Sequence, residues 1–274
     1  MIMFIGDSHS RQFQGQMSGA WAHAYFSGAT IKGLLSSSTK IAHGDAIRGL
    51  VSGSTRKRVF LMFGAVDQDV TFYRNLALES FTDEEDFHEE RVRIYREYAA
   101  RLLWSAGSSL EALGILLPQL TPLADREFYS ATAKMAGVDE AKFRTIGEQI
   151  DCSHLERCRR QSRFNDRLQA GFDELPLQAF RIDEGMADES GMIRPEFISP
   201  RNAFDHHAWK ARTLPLWQDA LKDLVRPYAR LRKRTKAIQS VDFESGVSAQ
   251  FLGKGQSAEP EARCADVPNG CIND

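Results

Sequence analysis

Two short segments, roughly 200 positions apart along the chain, carry side chains suited to nucleophilic chemistry. The first is Gly-Asp-Ser-His-Ser at residues 6–10, directly after an apolar run. A turn there can present the Ser8 hydroxyl near a helix N-terminus, where free backbone N–H groups favour developing negative charge. The second is Asp205-His206-His207, and histidine has the pKa suited to taking a serine proton near neutrality. Together these residues could perform acyl transfer.

Two further segments could serve such a reaction. Ser-Gly-Ala-Thr at residues 27–30 contains a glycine whose backbone N–H could donate to an oxyanion. Gly-Ala-Val-Asp-Gln at residues 64–68 follows a second apolar run. Each segment taken alone is equally consistent with an ordinary turn, and Asp7 or Ser8 could simply cap a helix. The order and placement of all four segments carry the functional interpretation.

The elements that must position these segments follow from hydrophobic patterning. Apolar runs predict strands at residues 2–5, 59–63 and 113–117, and a weaker one at 178–182. The runs are continuous rather than alternating, which is typical of parallel strands buried on both faces. Helical spacing of apolar residues predicts helices over 85–113, 154–172 and 208–228. The alternation predicts a layered α/β domain, with ligands at the carboxyl ends of the strands.

The four segments, in this order, resemble the blocks of the SGNH/GDSL hydrolase family over residues 1–228. The resemblance implies a three-layer α/β/α, flavodoxin-like fold around a mostly parallel sheet, and a reaction that needs no cofactor. The first block makes Ser8 the nucleophile, with its own N–H as one oxyanion donor. The second block makes Gly28 the other backbone donor.

The third block departs from the family pattern Gly-x-Asn-Asp. Gly64 and Asp67 align with it, but Val66 stands where the asparagine donor belongs. Losing one such donor typically costs about 2.7–4 kcal/mol of transition-state stabilisation. Three alternatives remain open. Either Gln68 supplies a replacement amide, or the site works with two donors, or activity is lost. The residue pattern of this block also resembles that of a variant subgroup found with carbohydrate-modifying enzymes. This resemblance implies esters of sugars as substrates.

The last block departs from the family spacing Asp-x-x-His. Here Asp205 is followed by His206 at once and by His207 next. The family histidine precedes a small or apolar residue and a helix, so the resemblance favours His207 as the base, with His206 as the competitor. Asp205 would orient the ring and stabilise its charged form. Without that contact, Ser8 and a histidine could act as a dyad.

The resulting hypothesis is a serine esterase for small acyl esters, including O-acetylated carbohydrate. The same residues would give a sugar O-acyltransferase if a sugar hydroxyl reached the acyl group before water. A different class of protein is a non-catalytic, carbohydrate-binding relative, which the missing asparagine supports. A third hypothesis is that the Ser8 loop binds phosphate in a flavodoxin-like sheet. The absence of a glycine-rich phosphate-binding loop from the sequence argues against this hypothesis.

Composition narrows the partners. The net charge of −2 gives no overall attraction to nucleic acid or to an anionic membrane. No apolar stretch is long enough to span a bilayer, and the N-terminus lacks the pattern of a signal peptide, so a cytoplasmic protein is expected. Cys152, His154 and Cys158 match no zinc-knuckle spacing, which predicts no metal site there. Oligomeric state is not indicated.

The composition changes after residue 228. A basic run at residues 230–236 leads into a segment containing Gly, Ser, Ala and Pro that continues to residue 274. Its apolar content is too low to offset the entropy of ordering it. Residues 229–274 are therefore predicted to be a disordered tail behind a single domain.

Overall fold

The computed structural model describes residues 1–14, 21–37, 42–78, 83–200, 204–224 and 240–242. Six strands form one sheet, namely β1 (Ile2–Gly6), β2 (Trp21–Tyr25), β3 (Lys57–Met62), β4 (Leu110–Leu116), β5 (Gln178–Phe180) and β6 (Ser240–Asp242). Their order across the sheet is β5-β4-β3-β1-β2-β6, and every neighbouring pair is parallel. Parallel neighbours require crossover connections, which the helices provide.

Helices cover most of the remaining described chain. The α-helices are α1 (Ile31–Leu34), α2 (His43–Val51), α3 (Phe72–Ala77), α4 (Glu84–Ala106), α5 (Asp125–Ala136), α6 (Glu140–Arg144), α7 (His154–Phe172), α8 (Asp183–Met186) and α9 (Lys210–Ala220). Shorter 3-10 helices span Ser8–Phe13, Gly107–Ser109, Thr145–Glu148 and Pro195–Phe197, and a π-helical turn spans Asp67–Thr71. The first of these short helices follows β1 directly and carries the predicted nucleophile.

Both faces of the sheet are covered. Along β1, Met3 and Ile5 belong to one buried cluster, which also contains side chains from α2, α4 and α7. The alternate residues Ile2 and Phe4 belong to a second cluster, which includes Trp217 of α9 and reaches the 3-10 helix after β1. Successive strand residues point to opposite faces, so this division places helices on both sides. The three-layer α/β/α class predicted from the sequence is confirmed.

Most predicted elements agree with the structure. The runs at 2–5, 59–63, 113–117 and 178–182 coincide with β1, β3, β4 and β5, and the helix over 154–172 is α7. The helix predicted over 85–113 was wrong at its C-terminal end. There α4 stops at Ala106, because Gly107 adopts φ +48° and the chain turns into β4. Of the helix predicted over 208–228, α9 covers Lys210–Ala220. Strands β2 and β6 were not predicted.

The predicted C-terminal tail lies almost entirely outside the described residues, as does the basic run at 230–236. Within residues 229–274 the structure describes β6, which pairs with β2 and so extends the sheet. The predicted domain boundary at residue 228 stays a prediction. Among the residues that the structure describes, no helix is both long and apolar enough to cross a bilayer.

Candidate active site

Ser8 is held at the carboxyl edge of the sheet by the backbone around it. The Asp7 N–H donates to the carbonyl of Met62 at 2.9 Å, which ties the end of β1 to the end of β3. A Cβ on Gly6 would lie 2.2 Å from that same carbonyl oxygen, so this close approach requires glycine. Ser8 then opens the 3-10 helix, and the first N–H groups of a helix have no acceptor within it. The Ser8 N–H is therefore available to a ligand oxygen.

The structure brings Ser8, His207 and Asp205 together in one hydrogen-bonded chain. Ser8 Oγ lies 2.9 Å from His207 Nε2, although the two residues are 199 positions apart. His207 Nδ1 lies 2.6 Å from Asp205 Oδ1, and the His207 backbone N–H donates to the same oxygen at 2.9 Å. With the Nδ1 proton directed at Asp205, Nε2 is left to accept the Ser8 proton.

The adjacent His206 occupies a different place. Its backbone carbonyl lies 3.3 Å from His9 Nε2, and its ring packs edge-on against His9 with centroids 5.0 Å apart. In the described part of the chain, no hydrogen bond joins its ring to Ser8. Burial, followed by the charges of His9 and His207, lowers the pKa of His206 to about 2. The geometry therefore favours His207 over His206 as the partner of Ser8.

The surroundings keep the His207 ring neutral and the Asp205 carboxyl ionised. Burial, followed by the positive charge of His9, lowers the pKa of His207 and outweighs the opposing effect of Asp205. Burial opposes ionisation of Asp205, yet hydrogen bonds from the ring and backbone N–H of His207 hold its pKa at about 2. A neutral imidazole bound to a carboxylate is the state that a general base needs near neutral pH.

His9, which the sequence reasoning did not single out, places a buried charge beside this chain of contacts. Its Nδ1 lies 3.3 Å from Asp7 Oδ1, and its Nε2 lies 3.7 Å from Asp69 Oδ2. Burial opposes the charged ring, but Asp69 and Asp7 outweigh that effect and raise the pKa of His9 to about 10. The ring centroids of His9 and His207 are 4.4 Å apart. The one signal in the sequence was the position of His9 directly after Ser8.

A cavity of about 360 Å³ opens beside Ser8. It is lined by the 3-10 helix after β1, by the loop after β4 and by the segment that leads into α9. The side chains in its wall include Gln12, Gln119, Ser199 and Trp209. A larger groove of about 710 Å³ runs between α4 and α7, but no serine, histidine or cysteine lines it. Of these two cavities, the one beside Ser8 is therefore lined by the serine, histidine and aspartate of the hydrogen-bonded chain.

The glycines of the second and third blocks do not line this cavity. Gly28 lies in an exposed turn after β2 with φ +64°, a conformation that glycine adopts without strain. Gly64 has φ +116°, and a Cβ there would come within 3.0 Å of Pro118. Its role in the structure is to bring the chain after β3 close to the loop after β4. The oxyanion role implied for Gly28 stays a prediction.

Asp67 and Gln68 are buried in the fold and also do not line the Ser8 cavity. Asp67 Oδ2 accepts the Ile31 N–H at 2.8 Å and Oδ1 accepts the Arg91 Nε–H at 2.8 Å, so both oxygens are engaged. Burial raises the pKa of Asp67 to about 6 against the opposing charge of Arg91. Gln68 Oε1 lies 3.4 Å from His88 Nε2. The contacts of Asp67 therefore anchor the start of α1 to α4.

A different amide stands at the Ser8 cavity. Gln119 follows β4 and is buried, and its Nε2 donates to Gln12 Oε1 at 2.8 Å. The same Gln12 oxygen accepts from Thr213 Oγ1 at 2.9 Å, while Gln12 Nε2 donates to the His9 carbonyl at 3.1 Å. This network fixes both amides in the cavity wall. Sequence reasoning missed Gln119, whose one signal was its place just after a predicted strand.

The histidines at this site also form a geometric candidate for metal binding. Ring nitrogens of His9, His206 and His207 lie within 4.8 Å of one another. However, the raised pKa of His9 opposes coordination, because a metal needs a neutral imidazole. Elsewhere, His154 Nε2 lies 2.9 Å from the Thr121 carbonyl, and Cys158 is a buried free thiol. These contacts give His154 and Cys158 roles in packing.

The chain is similar to known proteins in its three-dimensional structure. No protein-family model and no curated protein matches the chain. A Streptococcus pneumonia structure, provisionally assigned as a platelet activating factor, aligns with a TM-score of 0.51 at 14% identity over 82% of this chain and 83% of its own. A provisionally assigned acylhydrolase from Bacteroides fragilis gives 0.45 at 10% identity, covering 84% and 88%. An extracellular lipase from Streptomyces rimosus gives 0.39 at 12%, covering 80% and 98%.

The first of these likenesses concerns the fold. It covers four fifths of each chain and agrees with the parallel sheet and with helices on both faces. The chain therefore shares its overall fold with the Streptococcus pneumonia structure, and the three-layer architecture agrees with the fold that its sequence resemblance implies. At such low identity the likeness carries no information about the reaction, which has to be argued from the residues at Ser8.

Proposed function

We propose that this protein is a serine ester hydrolase that works through an acyl-enzyme. The observation that supports it most is the chain of contacts from Ser8 Oγ to His207 at 2.9 Å and from His207 to Asp205 at 2.6 Å. Nucleophile, base and orienting carboxylate within hydrogen-bond reach are the arrangement that serine acyl transfer needs. All three stand at the carboxyl edge of the sheet beside an open cavity.

The proposed reaction has two halves. In the first, His207 Nε2 takes the Ser8 proton while Ser8 Oγ attacks the ester carbonyl, and His207 then returns the proton to the leaving alcohol. In the second, His207 activates a water molecule, which releases the acid and restores Ser8. Asp205 holds the ring in the required tautomer and stabilises its charged form in both halves. If a sugar hydroxyl replaces the water, the same steps transfer the acyl group.

The negative charge on the tetrahedral intermediate needs donors. The Ser8 N–H at the start of the 3-10 helix is one of them. Gln119 supplies the side-chain amide that Val66 cannot provide, because Gln119 lines the Ser8 cavity and is fixed there by Gln12. Gln68, one of the three alternatives that the sequence left open, has its Oε1 3.4 Å from His88 Nε2.

Replacing Gln119 by alanine tests this donor. We expect kcat to fall about 10²–10³-fold with little change in KM, because a donor to the oxyanion acts mainly in the transition state. Steady-state kinetics on 4-nitrophenyl acetate measure both constants. Gln149→Ala, at an exposed position, is the matched control. An unchanged kcat in Gln119→Ala would remove Gln119 from the mechanism.

The cavity favours a small acyl group on a polar alcohol. Its wall presents the amides of Gln12 and Gln119, the hydroxyl of Ser199 and the ring of Trp209. Amides and hydroxyls bind the hydroxyl groups of a sugar, and an aromatic ring packs against a sugar face. We therefore propose esters of small acids with carbohydrate as the substrate class.

The pH dependence of the reaction follows from the state of His207. The base works when its ring is neutral, that is, above its pKa, and burial together with the charge of His9 lowers that pKa. The acidic limb of kcat/KM against pH is therefore expected below the ordinary histidine value of about 6.5. Asp205→Asn should move the limb to still lower pH, since Asp205 raises the pKa of His207. A limb at or above pH ~6.5 would contradict this assignment.

The experiment for the proposed function is direct hydrolysis of two acetyl esters. The purified protein is incubated with 4-nitrophenyl acetate and with glucose pentaacetate, and acetate release is followed. The folded protein is expected to hydrolyse both, and the same protein unfolded in urea neither. If the folded protein hydrolyses neither, the catalytic proposal fails and a non-catalytic binding role is favoured.

A further inference from the structure

Two basic side chains face the Ser8 cavity from different elements. Arg11 comes from the 3-10 helix after β1, and Lys210 is the first residue of α9. Arg11 packs over the ring of Tyr25, 5.0 Å from its centroid, and Lys210 Nζ donates to the carbonyl of Gln14 at 3.2 Å. Within the described ranges, neither cation has an acidic side chain within ion-pair distance. Their positive charge is therefore directed to the cavity and to solvent.

The nearby carboxylates do not neutralise these cations. Asp7 and Asp69 flank His9, and Asp205 is bound to His207. Burial, followed by the positive charge of Arg11, lowers the pKa of Lys210. Asp7, Asp69 and Asp205 thus pair with the two histidines, and the charges of Arg11 and Lys210 repel each other.

The location of Lys210 is also unfavourable for the helix. The first turn of α9 has no acidic residue, and its first residue is a lysine. A cation at a helix N-terminus opposes the helix dipole, whereas an anion there is stabilised. An anionic group of a ligand bound in the cavity would supply the negative charge that the first turn of α9 lacks.

We propose that Arg11 and Lys210 form an anion subsite of the Ser8 cavity, which selects esters that carry a carboxylate or phosphate group. This inference rests on the proposed esterase function and names its substrate class. The anionic group lies on the small-molecule ester itself, because a cavity of about 360 Å³ holds a ligand of that size. For a carbohydrate ester, this means an acidic or phosphorylated sugar.

The test compares two esters that differ in charge at one position. 4-Acetoxybenzoate carries a carboxylate, and its methyl ester does not, while both have the same acetyl group. The ratio of kcat/KM for the anionic over the neutral ester is measured in the wild type, Arg11→Gln, Lys210→Gln and the double variant. The ratio is expected to fall about tenfold in the double variant and by less in each single one. Lys134→Gln, at an exposed position on α5, is the matched control and should keep the wild-type ratio.

The outcomes separate the subsite from the esterase. If all variants hydrolyse the neutral ester and the ratio does not change, the anion subsite is overturned and the esterase stands. If no ester is hydrolysed, binding of 4-acetoxybenzoate and its methyl ester is measured by calorimetry instead. Binding of the anion alone, lost in Arg11→Gln/Lys210→Gln, supports the subsite without the esterase. Equal binding of the two esters, or binding of neither, overturns it.

Discussion

Replacing Ser8 by alanine is expected to reduce kcat for ester hydrolysis about 10⁴-fold or more. The variant keeps the cavity and the His207–Asp205 pair but loses the atom that forms the acyl bond. Because the lost group acts on the reacting carbon, kcat should fall far more than KM changes. Steady-state kinetics on 4-nitrophenyl acetate measure both.

Ser10→Ala is the matched control for this experiment. Ser10 lies on the same 3-10 helix and is buried, but its hydroxyl donates to the Asp7 carbonyl at 2.8 Å and lies 3.1 Å from His23 Nε2. Its removal should leave most of the activity in place. Circular dichroism of both variants shows whether each one folds. Equal activity in folded Ser8→Ala and wild type would rule out Ser8 as the nucleophile.

The two adjacent histidines should differ sharply when each is replaced. His207→Ala is expected to lose about 10⁴-fold in kcat, since it removes the ring nitrogen that lies 2.9 Å from Ser8 Oγ. His206→Ala should lose less than about tenfold, because its ring makes no hydrogen bond to Ser8 among the described residues and the backbone carbonyl near His9 remains. The same ester assay compares them.

Two results would contradict this assignment of the base. One is a larger loss in His206→Ala than in His207→Ala, which would exchange their roles. The other is an equal and mild loss in both, which would mean that neither ring takes the Ser8 proton. Added imidazole offers a second readout, since a small base in the space left by His207→Ala should restore part of the rate.

The sequence predicts the centre of the fold well because the central strands are continuous apolar runs. β1, β3 and β4 are buried on both faces, and this burial is what their composition records. β2 was missed because its alanines alternate with His23 and aromatic residues, and His23 is buried where a polar residue is not expected. The position of β2 depends on its pairing with β1 and on the packing of its alanines against one face of the sheet. Local sequence patterning does not reveal such long-range packing.

The proposed catalytic residues could be named from the family resemblance, but the choice between His206 and His207 depended on local geometry. Asp205 Oδ1 accepts both the backbone N–H and the ring Nδ1–H of His207. The backbone bond, from a residue two positions on, forms a tight turn of the kind that aspartate favours. In the proposed triad this turn accommodates the shorter Asp-x-His spacing, and it places His207 Nε2 2.9 Å from Ser8 Oγ.

The third block shows where sequence reasoning could not succeed. Asp67 aligns with a family site residue, yet its partner is Arg91, which lies 24 positions later on α4. Both side chains are fully buried, so this carboxylate anchors a helix instead of lining the cavity. Gln119 reaches the cavity only because β3 and β4 are neighbours in the sheet. Long-range pairing of this kind leaves no local pattern in the chain.

Covalent labelling with a fluorophosphonate probe tests the role of Ser8 without knowledge of the substrate, because the probe forms a bond with an activated serine. The labelled protein is digested, and the modified residue is located by tandem mass spectrometry. We expect one adduct, on Ser8, that is absent after unfolding in urea and strongly reduced in His207→Ala. A folded protein that stays unlabelled, or that is labelled at another serine, would contradict it.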